Sequence, residues 1–338
     1  ALTAIVPKDR RQPYNMKKLI GHIVDRESFF EIQPTFGRAL ITGLARMDGK
    51  VVGIVTEQGT RIIPCCGFDS VPSDLGVWFL QAEAEKRFGA PCEQVKMRVR
   101  TLRGSVSGGT AASILNIARE AASDPALRRE LANPYALCPP AHPFTARQAS
   151  RNLAQYDPDF TSWIAPFVMA GINTRIVHRS NALAGNAYGE SFRYDEAVLT
   201  GAGLSGRVKA LSMTAGIAAF LVGAAVPPSR WLMSHYLLPQ PGEGPSPEAQ
   251  QEGRFDLRFH GRTASGETLR TKVTGDPDPG YGSTAKMLSQ AALSLARDFH
   301  RKGVKTGKAG GFWTPATLFD ARFIERLTTH AGITFEVL

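Results

Sequence analysis

Seventeen consecutive residues, Ala210 to Val226, carry no charge and end at Pro227-Pro228. Any fold for this chain must find that run a surrounding of low polarity. Its length is at the lower edge of what spans a bilayer. Ser212, Thr214, Gly216, Gly223 and several alanines dilute its hydrophobicity. The run is therefore expected to form a buried or interfacial helix, with a membrane span as the alternative. A linker rich in Pro and Gly, Pro239 to Pro247, follows it.

At 338 residues the chain has room for two domains or one large α/β domain. A hydrophobic fraction of 43% with 21% charged residues argues against global disorder. The first residue is Ala1, so a processed or partial chain is expected, and no secretory signal pattern opens it. Cys65, Cys66, Cys92 and Cys138 include no C-x-x-C pair, which suits a reduced, cytoplasmic protein with neither a zinc site nor a disulfide framework. The net charge of +10 favours acidic partners, among them anionic lipid and phosphate-bearing cofactors. Lys96, Arg98 and Arg100 alternate with Val95, Met97, Val99 and Thr101, so a strand with a basic, solvated outer face is expected. His300, Arg301, Lys302, Lys305 and Lys308 are expected to flank a helix C-terminus. Aromatic residues do not interleave with these cations, so no nucleic-acid partner is expected.

Met16, Leu19, Ile20 and Ile23 space as one helical face, with Asn15 as the N-cap. Arg38 to Val55 reads as a hairpin turning at Asp48-Gly49. Arg61 to Cys66 reads as a short strand, and Ser70 with Asp74 suits a helix start. A second helix is expected over Ala111 to Ala122, after a glycine-rich turn. Phe255 to Phe259 and Leu269 to Val273 alternate around Ser265-Gly266 as a second hairpin. Ser283 is expected to cap a helix whose inner face is Met287, Leu288, Ala291, Ala292, Leu295 and Phe299.

Most motif-like stretches fail on chemistry. Gly201-Ala202-Gly203-Leu204-Ser205-Gly206 has the G-x-G-x-x-G spacing of a dinucleotide turn. The run before it is polar at Arg193, Asp195 and Glu196, and no acidic residue occurs between Glu196 and Glu243. A flexible loop before a helix is expected there. Gly303 to Lys308 is one residue short of a P-loop and lacks its Ser/Thr. Asp276 and Asp278 lie in a turn sequence rather than a calcium loop.

Two sites remain as candidates. Gly67 to Asp74 places Phe68, Asp69, Ser70 and Ser73 where a strand meets a helix, the edge at which open sheets bind ligands. Ser107 to Thr110, with Gly108 and Gly109 unhindered, presents amide donors at a helix start. Helix capping is the competing reading at both. Spacing singles out no His or Tyr as a catalytic residue.

GFDSVPSDLG, SGGTAAS, LLPQPGEGPS, GDPDPGYGSTAKM and GGFWTPA occur in this order from Gly67 onward. Together they resemble the saccharopine-dehydrogenase-like oxidoreductases, specifically the trans-acting enoyl reductase branch. The resemblance covers about residues 59 to 338. It implies NAD(P)H-dependent reduction of a double bond in an acyl or polyketide lipid intermediate, with a substrate domain tied to a Rossmann domain. Members open with a strand and a turn of the type GATGFTG, which this chain lacks, so cofactor binding by these residues alone is not expected. RRQPYNMKKLI, IVDRESFFEIQPTFG and GLARMDGKVVGIV resemble the carboxyltransferase β subunit of biotin-dependent acyl-CoA carboxylases. The glycine-rich donors that hold the enolate in that family are not among residues 1 to 58.

The expected molecule is α+β. A helix–hairpin fragment of a crotonase-like fold, residues 1–58, precedes a mixed or antiparallel sheet with packed helices, residues 59–338. Its expected function is that of a truncated, impaired enoyl-reductase-type oxidoreductase. The alternatives are a carboxyltransferase fragment and a non-enzymatic lipid- or membrane-associated module using residues 210–226. The expected location is the cytoplasm, with a peripheral membrane position as the alternative.

Overall fold

In a computed structural model of the chain, the structure describes residues 16–31, 40–47, 50–57, 61–104, 108–238, 244–298, 310–319 and 321–338. Asn15, the Asp48-Gly49 turn, Phe299, Ser107, most of the linker after Leu238 and the basic run with its P-loop-like stretch lie outside the described residues. The chain divides into two compact units. One comprises residues 1–62 and 306–313, the other residues 63–305 and 314–338.

The first unit contains α1 (Met16–Ile23), β1 (Phe30–Glu31), β2 (Leu40–Met47), β3 (Lys50–Glu57) and β4 (Arg61–Ile62). Ile20 is buried, whereas Ile23 at the other edge of the expected face is half exposed. β2 and β3 form the expected hairpin in antiparallel register from Leu40↔Glu57 to Met47↔Lys50, and β1 pairs with β2. β4 pairs in parallel with Gly311–Phe312, and the Trp313 amide donates to the Ile62 carbonyl at 2.9 Å. The strand expected to reach Cys66 stops at Ile62. Pro64 has no amide proton and Cys65 adopts φ 59°, which takes the chain out of extended geometry.

The second unit runs α2 (Val71–Phe88), β5 (Cys92–Arg103), α3 (Gly108–Ser123), α4 (Pro125–Ala132), β6 (Gln155–Asp157), β7 (Ser162–Pro166), α5 (Ala170–Leu183), β8 (Arg193–Gly201), α6 (Gly203–Ala225), α7 (Pro227–Leu232), α8 (Pro247–Gln251), β9 (Arg254–Thr263), β10 (Thr268–Gly275) and α9 (Thr284–Arg297). After β11 (Gly311–Phe312) of the first unit come α10 (Pro315–Leu318), α11 (Ala321–Ala331) and β12 (Ile333–Val337). Among the described residues one mixed sheet holds seven strands in the order β12-β10-β9-β5-β8-β7-β6. Its pairs are antiparallel except β5 with β8. The fold is thus α+β with helices packed on a multi-stranded sheet.

Alternation decides which side of the sheet is dry. Val95, Met97 and Val99 of β5, Phe255, Leu257 and Phe259 of β9, and Leu269 and Val273 of β10 are buried. α2 packs over β5, β9 and β10 and contributes Leu75, Val77, Leu80 and Ala84. Each large side chain removed from water here stabilises by roughly 1.5–3 kcal/mol. The approach is close enough that a Cβ on Gly76 would lie 2.4 Å from the Phe259 ring.

The opposite side of β5 is not the solvated basic face that the alternation suggested. Arg98 is fully buried and Lys96 nearly so. Arg98 Nε donates to Asp157 at 2.8 Å and its Nη2 lies 2.7 Å from Asp195. Lys96 Nζ meets Asp157 at 3.3 Å and Asp159 at 2.5 Å. Burial acts to raise the Asp157 pKa, but Arg98 and Lys96 outweigh it and hold the carboxyl below its usual range. Arg100 alone of the three is exposed.

The glycines at 201–206 are not a flexible loop. The polar run before them is β8, with Tyr194, Asp195, Glu196 and Ala197 all buried. Gly201 (φ 104°) and Gly203 (φ 66°) turn the strand directly into α6, and a Cβ on Gly206 would stand 2.0 Å from the Gly201 carbonyl oxygen. The uncharged run also departs from its buried reading: of α6 only Gly206, Ala210 and Ala224 are buried. On α9 the inner residues are Met287, Ala291 and Ser294, while Leu288 is exposed. Ser283 does not cap that helix with its side chain; its hydroxyl donates to the Pro277 carbonyl at 2.8 Å.

Candidate functional site

A serine at a helix start ordinarily accepts from the amides of the first turn. Ser70, at the N-cap of α2, makes no such bond. Its hydroxyl donates instead to Asn173 Oδ1 of α5 at 3.1 Å. Asn173 Nδ2 donates to Glu196 Oε2 of β8 at 3.0 Å, and the Tyr194 hydroxyl donates to Glu196 Oε1 at 2.7 Å. Ser73, one turn into α2, is also hydrogen-bonded to Tyr194 and Glu196. All five side chains are buried. Capping therefore does not explain Ser70; a polar network between α2, α5 and β8 does.

Burial pushes the Glu196 carboxyl up to about 7, although Tyr194, Asn173 and Ser73 all hydrogen-bond to it. Burial, then the neighbouring Glu196, raises the Tyr194 phenol well above its ordinary value. Glu196 is thus a carboxyl that exchanges its proton near neutrality. It forms part of the wall of a cavity of about 590 Å³ with Tyr194, Tyr135, Phe167, Arg151 and Arg175. Gln148 fixes one side of this cavity to β8: the Tyr194 amide donates to its Oε1 at 3.0 Å, and its Nε2 donates to the Phe192 carbonyl at 3.0 Å. Arg151 grips Asp195 with Nε at 2.9 Å and Nη2 at 3.1 Å. Arg175 donates to the carbonyls of Asn133, Leu131 and Gly171, and burial lowers its pKa.

A second buried carboxyl lies deeper in α2. Asp74 Oδ1 accepts from Ser180 Oγ at 2.5 Å and Oδ2 from the Ala316 amide at 2.8 Å; Ser180 in turn meets the Thr314 hydroxyl at 2.6 Å. Burial lifts Asp74 to about 7. This cluster ties α2 to α5 and α10, and its residues do not line the cavity.

The residues expected from sequence separate into two places. Phe68, Asp69, Ser70 and Ser73 share the turn into α2. The Phe68 amide donates to Thr284 Oγ1 at 2.9 Å, and Asp69 Oδ1 accepts from the Gly67 amide at 3.0 Å. Ser70 and Ser73 reach the Glu196 network. Gly108, Gly109 and Thr110 begin α3, which packs on α4 and α6 rather than on α2. The sequence reading missed Asn173, Tyr194 and Glu196. The register Val95↔Tyr194 and Met97↔Glu196 shows the signal: both lie on the dry side of the sheet, alternating with Asp195.

Residues 1–121 match the family model described as a carboxyl transferase domain. The chain is 35% identical over 289 residues to a protein of Mycobacterium tuberculosis described as a candidate trans-acting enoyl reductase; the match covers 83% of this chain and 68% of that protein. It is 34% identical over 285 residues to a trans-acting enoyl reductase of Mycobacterium bovis, covering 80% of this chain and 66% of the relative. A trans-acting enoyl reductase of Mycobacterium ulcerans is 32% identical over 290 residues, with the same two shares. The chain belongs to the trans-acting enoyl reductase family. It spans about two thirds of the length of these curated relatives.

Proposed function

We propose that this chain carries the substrate-handling body of an enoyl-reductase-type oxidoreductase of the saccharopine-dehydrogenase-like kind. Its substrate class is the enoyl thioester of an acyl or polyketide lipid. Family membership supports the reaction class, and Glu196 in the cavity wall is the observation that carries the assignment of a site. Reduction of a polarised C=C adds hydride at the β-carbon and a proton at the α-carbon. The first step leaves an enolate, and Glu196, half protonated near pH 7, supplies the proton. Tyr194 and Asn173 hold the carboxyl in place, and Arg175 brings a cation to the cavity wall where negative charge develops on the thioester oxygen, the Arg151 charge being met by Asp195.

NAD(P)H is proposed as the hydride source. The strand–glycine–helix passage at Gly201–Gly206 does not fit a dinucleotide. No acidic residue follows it to hold a ribose, and α6 leads to no parallel neighbour of β8. No residue among those described is assigned to the cofactor.

The test is NADPH-dependent reduction of a long-chain enoyl thioester by the protein and by Glu196→Gln, each assayed with the nucleotide-binding domain of a full-length relative supplied in trans. The variant is expected to lose about a hundredfold in kcat with KM little changed. Because the reaction needs Glu196 protonated, the rate of the unsubstituted protein should fall as pH rises through about 7. A Glu196→Gln protein with an unchanged rate and the same pH limb overturns the assignment. A second reading, carboxyl transfer, rests on the match over residues 1–121. It requires biotin-dependent carboxylation of an acyl-CoA, and none is expected.

A further inference from the structure

We propose that α6 and α7 dock this protein onto a lipid bilayer bearing anionic headgroups, with α6 lying along the interface. The inference is independent of the reaction proposed for Glu196. α6 is 23 residues long, roughly 34 Å at the α-helical rise. It packs against β7, β8 and α3, and its buried residues are the small ones Gly206, Ala210 and Ala224. Because α6 packs against strands and a helix of the same unit, it is held on the body and lies along the surface instead of crossing.

After Lys209 the rest of the helix carries no charge and is largely open. Leu204 is 75% exposed, Val208 53%, Leu211 51% and Val222 66%, and together they form one strip; Met213 and Leu221 are exposed on other sides. A helix docked on a protein groove needs one apolar stripe. From Ala210 on, α6 carries no charge on any side, a pattern that belongs to a core or to lipid, and this helix is not in the core.

The chain past the helix end completes the pattern. Trp231 and Tyr236 are 55% and 71% exposed, with Trp231 and His235 rings 4.7 Å apart. Trp and Tyr of this kind suit the level of the headgroups. From Ala197 to Gly242 the sequence holds Arg207, Lys209 and Arg230 and no acidic residue. Arg207 and Lys209 are exposed at the start of α6, and Arg230 lies just past its end. Cations at both ends of an apolar surface complement an anionic membrane.

Flotation with phosphatidylcholine vesicles, with and without phosphatidylglycerol, tests this on the full chain. Binding should appear with phosphatidylglycerol and weaken as salt rises. It should fall by a hundredfold or so in Val208→Glu/Leu211→Glu/Val222→Glu, whose circular dichroism should stay unchanged because these positions are exposed. In the unsubstituted protein, brominated lipid should quench a component of tryptophan emission that disappears in Trp231→Phe. That quenching decides the matter even if the triple variant fails to fold. Absence of flotation, flotation that ignores the three substitutions, or unquenched Trp231 overturns the proposal. So does a dimer that the same substitutions dissolve without any vesicle binding, which assigns the face to a second copy.

Discussion

Among the described residues, burial raises the pKa of two carboxyls, Asp74 and Glu196. For Asp74 the consequence is stability. Burial raises its pKa from 3.8 to about 7 despite the bonds from Ser180 and Ala316, so the folded state holds its proton more tightly than the unfolded chain does. That contribution is complete below pH 3.8 and is lost as pH rises through about 7. Asp74→Asn keeps an acceptor for one partner and removes the titration. Thermal unfolding midpoints between pH 5 and 8 should therefore drop less steeply in the variant than in the parent. A variant with an identical pH slope removes Asp74 as the source. Glu196 acts with the same sign, so part of the parent's slope should remain. Sequence reading reached Ser70 and Ser73 of the adjoining network but not Asn173 or Glu196. Their partners lie 103 and 23 residues apart along the chain, and no local pattern announces such a bond.

At the scale of elements, what was legible is what period alone determines. The β9–β10 hairpin, turning at Gly266 with φ 100°, and the α2 helix follow the alternation and the start signals in the sequence. β8 was not legible because its buried positions are Tyr194, Asp195 and Glu196, which read as polar. Their burial rests on Arg98, Arg151 and Asn173, supplied by other elements. The basic face of β5 was misread for the same reason, since Asp157 stands 59 residues from Arg98. The β8–α6 junction offers a test at this scale. Gly206 lets the first turn of α6 close on Gly201, and a Cβ there meets backbone, not a side chain that can swing aside. Gly206→Ala should destabilise the second unit by about 1–3 kcal/mol, read from urea unfolding at unchanged m-value. Gly216→Ala, where a Cβ meets nothing within 4 Å, is the control and should be neutral or slightly stabilising.

At the scale of the whole molecule, the question is whether the second unit depends on what precedes it. Every strand of its sheet lies between Cys92 and Val337, and its covering helices begin at Val71. The relatives match 80–83% of the chain, while the carboxyl transferase match covers residues 1–121, so the two matches share residues and neither sets a boundary. We propose the boundary near residue 59, just before the stretch GFDSVPSDLG and close to the Ile62–Ile63 division of the compact units, the first of which also takes in residues 306–313. Residues 59–338 expressed alone should then fold. For a domain of about this size, 1 kcal/mol shifts the midpoint by roughly 2–4 °C. The near-ultraviolet melting transition of the fragment should lie within about that interval of the corresponding transition in the full chain. A fragment that keeps its far-ultraviolet signal but loses the near-ultraviolet one and binds a hydrophobic dye has a molten core. That outcome places residues 1–58 among the determinants of the fold and moves the boundary elsewhere. Vesicle binding by a well-folded fragment would further show that the docking surface needs nothing from residues 1–58.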